Sequence, residues 1–290
     1  MADPTLYQTI LSRRSIRKYR SDVEAQILGQ VQQACAVTFG LMPENQFTTS
    51  LQALRPDRDL TTLLGAYGRL VAPPYVVVPL ITGTRNLMID LGYRSEQIVI
   101  ALTKLGLGTC FVGTLMHDEE ARRIFQILPD QQHAAVIAFG HPEEKLSGVI
   151  HNRLIRALAG ANSKLPADQL YYENLEESPL PPPPNWAPLI EAARTAPSAV
   201  NTQPWRFLGR GNHLYLFAVR HSPRYGKDSG VGYKFFDCGV CLANMHLAMQ
   251  ALDLHGSSRL CSEPDENLPA YPQQYQPIAE IILGENSAIS

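Results

Sequence analysis

Four cationic side chains lie within seven residues near the start of the sequence, in the segment RRSIRKY at 13–19. Guanidinium groups bind phosphates and carboxylates through paired, charge-assisted hydrogen bonds, so a cluster this dense indicates a local anion site. The whole chain has 25 Lys and Arg against 27 Asp and Glu, a net charge of −2, which argues against a nucleic-acid partner. Taken alone, however, a basic segment of this kind is usually a solvated surface.

A second polar segment, APSAVNTQPWRF at 196–207, combines small residues with Asn201 and Gln203. Its amide and backbone groups are of the kind that hold a polar ligand. Alone it is also compatible with a polar turn in which Pro204 and Trp205 pack in the core. Neither segment identifies a function by itself.

The cysteines do not form a recognisable motif. Five are present, an odd number in a long chain without secretory features, so we expect no disulfide framework. Cys238 and Cys241 form a CxxC pair, but the chain has no second such pair and its histidines are scattered. We expect the pair to be small buried residues, with redox or metal chemistry as the alternative.

An internal repeat organises the chain. DLGYRSEQIVIALTKLGLGT (90–109) matches DCGVCLANMHLAMQALDLHG (237–256) at a constant offset of 147, and both show the apolar spacing of a buried helix. Strand-like runs at 134–140 and 278–284 follow the two copies. The identical pairs are Asp90/Asp237, Gly92/Gly239, Ala101/Ala248, Leu105/Leu252 and Leu107/Leu254.

The repeat predicts two similar halves, at 1–159 and 186–290, joined by a proline-rich linker at 160–185 that contains SPLPPPPN. Helices and short strands without regular βαβ alternation predict an α+β fold. LGLGTCFVG (105–113) follows a helix and enters a strand, the reverse of a dinucleotide fingerprint. We expect helices at 22–37, 90–105, 186–195 and 237–252, and strands at 47–54, 75–81, 109–113, 134–140, 205–209, 213–219 and 278–284.

The apolar segments predict a cytoplasmic protein. Residues 1–30 contain no stretch of signal-peptide type, and the longest apolar runs, such as VVVPLI at 76–81, are far shorter than a membrane helix. We therefore expect no membrane partner.

Three segments together resemble the FMN-dependent nitroreductase family. They are ILSRRSIRKY (10–19), similar to its R-x-S-x-[RK] motif, APSAVNTQPWRF (196–207), similar to its S-x-N-x-Q-P-W motif, and DLGYRSEQIVIALTKLGLGTCFVG (90–113). The chain looks most like the subgroup in which two such units are fused. The resemblance implies a nitroreductase-like α+β fold, with the two halves packed as an intramolecular pseudo-dimer in a monomer.

The two motifs are divided between the halves. In ordinary members each FMN site takes one motif from each subunit of a homodimer. Here the first half has RRSIR (13–17), which we call the Arg-Ser motif, but it has TFGLMPENQF (38–47) where the second motif belongs. The second half has SAVNTQPW (198–205) but no counterpart of the Arg-Ser motif. The resemblance therefore implies one FMN per chain, with its phosphate as the anion of the basic segment.

The family's cofactor contacts carry over residue by residue. Arginines and Ser15 would bind the phosphate end, the loop after the long helix would form the flavin floor, and the second-half segment would approach from the other side. Gln203 and Trp205 would brace that segment, and Lys145 and Arg156 compete with Arg153 for the phosphate. The implied FMN contacts are Arg13, Arg14, Ser15, Arg17, Phe111, Val112, Gly113, Thr114, Arg153, Pro197, Ser198, Ala199 and Asn201.

The resemblance implies an oxidoreductase that passes electrons from NADH or NADPH through FMN to a small-molecule acceptor such as a nitroaromatic or a quinone. Because the flavin carries this chemistry, no catalytic acid, base or nucleophile is expected from the protein. A flavin-binding protein without turnover and a flavin-free pseudo-dimeric scaffold or small-molecule binder are the alternatives. The sequence does not identify the acceptor, because the resemblance implies that loops over the flavin face, here at 55–75 and 220–235, set the substrate range, and it does not identify the preferred nicotinamide either.

Overall fold

Six helices and nine strands make up the described part of the chain. The structure, a computed structural model, describes residues 2–20, 22–54, 71, 73–143, 164–225 and 230–284. The helices are α1 (Pro4–Ser12), α2 (Ala25–Ala36), α3 (Leu87–Lys104), α4 (Asp118–Phe125), α5 (Ala187–Thr195) and α6 (Gly230–Ala251). The strands are β1 (Gln46–Ala53), β2 (Tyr75–Thr82), β3 (Gly108–Gly113), β4 (Ala135–Gly140), β5 (Tyr171–Tyr172), β6 (Trp205–Arg210), β7 (His213–Val219), β8 (Gly256–Leu260) and β9 (Tyr275–Leu283).

The strands form two separate sheets. The first has the order β1-β2-β4-β3 and is antiparallel throughout. The second has the order β5-β6-β7-β9-β8 and is antiparallel except for the short parallel pair β5/β6. Each sheet is built from one part of the sequence, and helices pack between and around them. The α+β class predicted from the sequence is confirmed.

The long helices α3 and α6 cross where each carries a glycine. A Cβ added at Gly92 would lie 2.0 Å from the carbonyl oxygen of Phe236, and one at Gly239 would lie 1.9 Å from that of Ile89. The offset of 147 relates both pairs, since it turns 92 into 239 and 89 into 236. The contact is therefore isologous, the arrangement that a two-fold axis gives. The repeat seen in the sequence is thus matched by a two-fold contact in space.

The N-terminal helix α1 packs on helices from the end of the chain. Asp3 caps its N-terminus by accepting a hydrogen bond from the Leu6 backbone N–H at 3.1 Å. Leu6 and Ile10 are buried in the same apolar cluster as residues of α5 and α6. The Tyr7 hydroxyl donates to the carbonyl of Pro188 at 3.0 Å. This packing places the end of α1, from which the Arg-Ser motif continues, beside α5.

The elements predicted within the described residues are found with ends shifted by up to seven residues, and α1, α4, β5 and β8 were not predicted. The predicted linker is not wholly extended. Residues 167–169 form a 3-10 turn, and Tyr171 and Tyr172 form β5 because each buries its ring on an opposite face of the second sheet. The proline run at 178–183 contains neither helix nor strand, as predicted.

Two further sequence-based expectations concern burial. Cys238 and Cys241 are fully buried within α6, and burial raises the pKa of both thiols, so they are core residues as predicted. Among the helices in the described ranges, none has the length and apolar character needed to cross a membrane.

Candidate functional site

The two sequence motifs meet in the structure. Arg13 ends α1, and its Nη2 donates a hydrogen bond to the carbonyl oxygen of Thr195 at 3.2 Å, in the last turn of α5. The Thr195 hydroxyl in turn donates to the carbonyl of Ile10 at 3.4 Å. The cationic side chain satisfies a carbonyl at a helix C-terminus, where positive charge is favoured. The segment that starts at Ala196 therefore begins beside the Arg-Ser motif.

The Arg-Ser motif itself runs along β3, an edge strand of the first sheet. Ile16 donates its backbone N–H to the carbonyl of Thr109 at 2.8 Å, and Ser15 forms a parallel bridge with the same residue. Gly108 permits this approach, because a Cβ there would lie 2.8 Å from Ile16. With the backbone fixed in this way, Arg17 is buried with 6% of its surface exposed, whereas Arg14 is exposed.

Buried charges surround Arg13. Its Nε lies 3.6 Å from Oε1 of Glu96 on α3, and both side chains are almost completely buried. Burial raises the pKa of Glu96 to about 8, although Arg13 and Lys164 oppose the shift. Burial lowers the pKa of Lys164 to about 7, and the nearby charge of Arg13 lowers it further. The Lys164 ammonium donates to the carbonyl of Ala196.

Asp237 on α6 holds the turn that follows Ala196. One of its carboxylate oxygens, Oδ2, accepts hydrogen bonds from the Ala199 backbone N–H at 2.9 Å and from the Tyr225 hydroxyl at 2.8 Å. Burial raises the pKa of Asp237 to about 7. Its repeat counterpart Asp90 accepts in the same way from the backbone N–H of Leu41 at 2.7 Å. The segment 38–47 therefore occupies the equivalent position in the first half, as its place after the first helix implied.

The turn after Ser198 has a strained backbone. Val200, Asn201 and Gln203 have φ angles of 46°, 53° and 50°, in the left-handed region that costs an L-residue roughly 1–2 kcal/mol. Gln203 holds the turn: its backbone N–H donates to the Ser198 hydroxyl at 3.0 Å, and its Oε1 accepts from the Leu165 N–H at 2.8 Å. Such strain is typical of ligand-binding loops. Gln203 thus has the bracing role that was inferred for it.

The loop after α3 contributes less side-chain surface to this site than the resemblance implied. Val112 is buried in the core of the first sheet, and the hydroxyl of the buried Thr114 is 2.7 Å from Nδ1 of His133. The ring of Phe111 packs edge-on against Phe236, with centroids 5.4 Å apart. Residues 112 and 114 therefore can contact a ligand in this site only through their backbone.

Glycine 113 lies against Tyr233 of α6. A Cβ at Gly113 would lie 2.4 Å from the Tyr233 hydroxyl oxygen, and that oxygen accepts a hydrogen bond from the Leu115 backbone N–H at 3.1 Å. The contact joins the loop after β3 to α6.

The remaining residues implied by the resemblance divide into two groups. Pro197, Ser198 and Ala199 are half-buried, and Asn201 is buried with 6% exposed. Arg153 and its competitors Lys145 and Arg156 lie outside the described residues.

Sequence reasoning missed Glu96, Lys164 and Asp237, which supply most of the buried charge at this site. Glu96 stands in an apolar helical stretch, and an ionisable residue there is the signal that could have identified it.

A cavity of about 240 Å³ lies away from this site, at the position that the repeat relates to it. Leu41 and Asn86 line one side, and Leu242 and Arg259 line the other. Arg259 is held by two carboxylates, with its Nε 2.6 Å from Glu280. Its charge is therefore already compensated, so this cavity lacks the excess of buried cations found around Arg13.

Two sheets, a glycine-mediated crossing of two long helices and a cluster of buried charges around Arg13 characterise this α+β protein, which has a nitroreductase fold. Residues 5–249 match the family described as "Putative TM nitroreductase", and the chain belongs to this family. Membership supports an oxidoreductase role.

Among solved structures, one described as a putative nitroreductase from Thermotoga maritima has a similar fold. Its TM-score is 0.57 at 17% identity, over 96% of this chain and 93% of that chain. A nitroreductase with bound FMN from Bacteroides fragilis has a TM-score of 0.39 at 19% identity, covering 48% of this chain and 89% of its own. An FMN-dependent nitroreductase from Clostridium difficile has a TM-score of 0.39 at 18% identity, covering 47% and 87%. No curated protein matches the chain.

Proposed function

We propose that the protein is an FMN-dependent oxidoreductase of nitroreductase type, which transfers electrons from NADH or NADPH to a nitroaromatic, a quinone or a similar conjugated acceptor. One observation carries the proposal. The Arg-Ser motif and the 196–205 segment, which are more than 175 residues apart in the sequence, are joined through the contact between Arg13 and Thr195.

The charges of the site fit a phosphate-bearing cofactor. Arg13, Arg17 and Lys164 supply three cationic groups, and Glu96 and Asp237 supply two acidic ones. A phosphate monoester carries nearly two negative charges at neutral pH and accepts several hydrogen bonds. Burial strengthens the attraction of the arginines for a phosphate, because water does not screen their charges. The site therefore has a positive excess that a phosphate would compensate.

Orphaned polar atoms support the same fit. Within the described residues, Arg13 Nε and the Thr109 hydroxyl are buried without a hydrogen-bond partner. Buried polar groups are nearly always hydrogen-bonded, so atoms of this kind in a cationic site favour a ligand that would satisfy them. In this proposal, Arg13, Arg17 and Ser15 hold the phosphate end of FMN, with Arg14 and Arg153 as further candidates.

The remaining contacts would come from both sides of the same site. The backbone of residues 111–114 would approach one edge of the flavin, and Pro197, Ser198, Ala199 and Asn201 would approach another. Asp237 fixes the Ala199 N–H within the second half, and Tyr233 fixes the loop that follows Gly113 in the first half, so α6 orients both contributions. When bound, FMN supplies the two-electron chemistry, and the protein binds, orients and shields it.

The division of motifs supports one cofactor per chain. We infer that residues 1–159 and 186–290 act as two fused units of an intramolecular pseudo-dimer, with 160–185 joining them, and that the protein is monomeric. The isologous crossing at Gly92 and Gly239 supports this organisation. The compensated charge of Arg259 supports loss of the second phosphate site.

The absorbance spectrum of the purified protein tests the proposal directly. We expect FMN to bind, and NADH or NADPH to bleach the flavin absorbance under anaerobic conditions. Recovery of the absorbance on addition of a quinone would complete the cycle. Binding without bleaching by either nicotinamide would indicate a flavin-binding protein without turnover, and no binding would indicate a flavin-free scaffold.

A further inference from the structure

Glu96 is a buried carboxylate whose surroundings do not satisfy it. Its side chain has no exposed surface, and no described residue donates a hydrogen bond to either of its oxygens. The nearest cationic atom, Arg13 Nε, is 3.6 Å from Oε1, which is beyond hydrogen-bond distance. A buried charge pair normally needs close geometry and further hydrogen bonds to offset its desolvation. Arg13 and Glu96 are therefore a cationic and an acidic group that lie close together without a hydrogen bond between them.

Groups from three other parts of the chain face Glu96. Arg13 comes from the end of α1 and Lys164 from the segment before the 3-10 turn at 167–169. Cys241 comes from α6, and burial keeps the pKa of its thiol well above its ordinary value, so it carries no charge. Arg17 lies close enough to Arg13 to lower the pKa of that guanidinium. Glu96 thus stands next to the cations that a phosphate would use.

We propose that Glu96 is the resident counter-ion of Arg13 and takes up a proton when a phosphate-bearing ligand binds, so that binding at this site is linked to proton uptake. This rests on the proposed function and adds a proton linkage to it. A dianionic phosphate beside Arg13 and an ionised Glu96 would be like charges in a dry environment, which disfavours the charged carboxylate. The reaction balances as carboxylate plus one solvent proton plus ligand dianion giving the complex with a neutral carboxylic acid.

The environment of Glu96 fits this exchange. Burial already raises its pKa to about 8, so Glu96 serves as an ionised counter-ion chiefly above that pH, and little additional negative potential is needed to neutralise it there. Above that pH binding of the ligand requires Glu96 to take up a proton from solvent, and the affinity for the ligand is expected to fall by up to about tenfold per pH unit. Lys164, whose pKa is lowered to about 7, would shift in the same direction by regaining its proton. A substitution at Glu96 separates its contribution to proton uptake from that of Lys164.

Isothermal titration calorimetry with FMN at about pH 8.5, in buffers of different ionisation enthalpy, counts the protons exchanged. We expect the wild-type protein to take up about one proton or more per FMN, and riboflavin, which lacks the phosphate, to take up far less. Glu96→Gln keeps the shape and removes the titrating group, and its uptake should fall by at least about half a proton. Glu280→Gln is the control, since Glu280 is also a buried carboxylate but belongs to the second sheet, with His213 and Arg259 as partners.

Each outcome either supports or overturns the proton linkage at Glu96. FMN binding to the wild-type protein without proton uptake overturns the linkage and leaves the proposed function intact. Equal uptake by the wild-type protein and Glu96→Gln assigns the proton to another group, such as Lys164, and also overturns it. Failure of FMN to bind at any pH overturns both the linkage and the proposed function. The wild-type measurement needs no variant, so the test holds even if Glu96→Gln does not fold.

Discussion

The crossing of α3 and α6 predicts that a single methyl group will destabilise the protein. In Gly92→Ala the new Cβ would lie 2.0 Å from the carbonyl oxygen of Phe236, whereas ordinary van der Waals contacts begin at 3.4 Å. The clashing atom belongs to a helix backbone and cannot rotate away. The helices must therefore separate by more than about 1 Å, and overpacking of this kind costs about 1–3 kcal/mol.

Two comparisons separate this clash from a general effect of alanine. Gly239→Ala should cost a similar amount, because its Cβ would lie 1.9 Å from the carbonyl oxygen of Ile89. Gly29→Ala is the matched control, since Gly29 lies in α2 with nothing within 4 Å of an added Cβ. Alanine is the better helix former, so that variant should gain about 0.5–1 kcal/mol.

Urea and thermal unfolding measure these changes. We expect each crossing variant to lose about 2 kcal/mol. The double variant should lose less than the sum, because one separation of the helices relieves both clashes. If Gly92→Ala is as stable as the wild-type protein while Gly29→Ala gains stability, the helices do not cross at these glycines. The two-fold relation between the halves would then lose its structural support.

Three further predictions concern the ligand, the pH and turnover. Arg17→Ala should weaken FMN binding at least about tenfold, because a charge-assisted contact is lost, and should affect riboflavin much less; equal losses in titrations of both ligands would indicate a folding defect. His246, whose Nδ1 lies 2.9 Å from the Tyr93 hydroxyl, has its pKa lowered to about 4 by burial. Acidification from pH 6.5 to pH 4 should therefore lower the free energy of unfolding of the wild-type protein by about 3 kcal/mol relative to that of His246→Gln, and a difference between the two proteins that stays constant with pH would contradict this. With FMN bound, steady-state rates with NADH or NADPH and a quinone should give parallel double-reciprocal lines, and intersecting lines would exclude alternating use of one flavin face.

The helical repeat was predictable because the pattern of a buried helix is local in the sequence. Ile98 and Leu102 in one copy, and Met245 and Met249 in the other, recur at helical spacing and are buried in the structure. The short helix α1 had local signals too, since Asp3 and Pro4 are a typical N-cap and first helical residue. Those signals lie next to the basic segment, which was interpreted for its charge alone.

The site was predictable only in its outline. That the two motifs meet follows from their division between the halves, and the contact between Arg13 and Thr195 confirms that they are neighbours. Which arginine is buried, and with which acid, depends on packing between distant segments. The pairing of Arg13 with Glu96 could not be inferred from sequence spacing, because nothing local to either residue specifies the other.

The same limit applies to the loop after α3. Side chains alternate along β3, so Val112 lies on the opposite face of the sheet from Phe111 and Gly113. The resemblance names consecutive residues, whereas the strand directs alternate ones away from the site. Their backbone groups remain available to a ligand.

The number of FMN molecules bound per chain is the most direct test of the account. Titration of the purified protein with FMN, followed by flavin fluorescence with light scattering on the same sample, gives both the stoichiometry and the oligomeric state. One FMN per chain in a monomer is the expected result, because Arg13, Arg17 and Lys164 outnumber the acidic groups buried near them, whereas two carboxylates compensate the charge of Arg259 at the other position. Two FMN per chain, or none, would contradict the account.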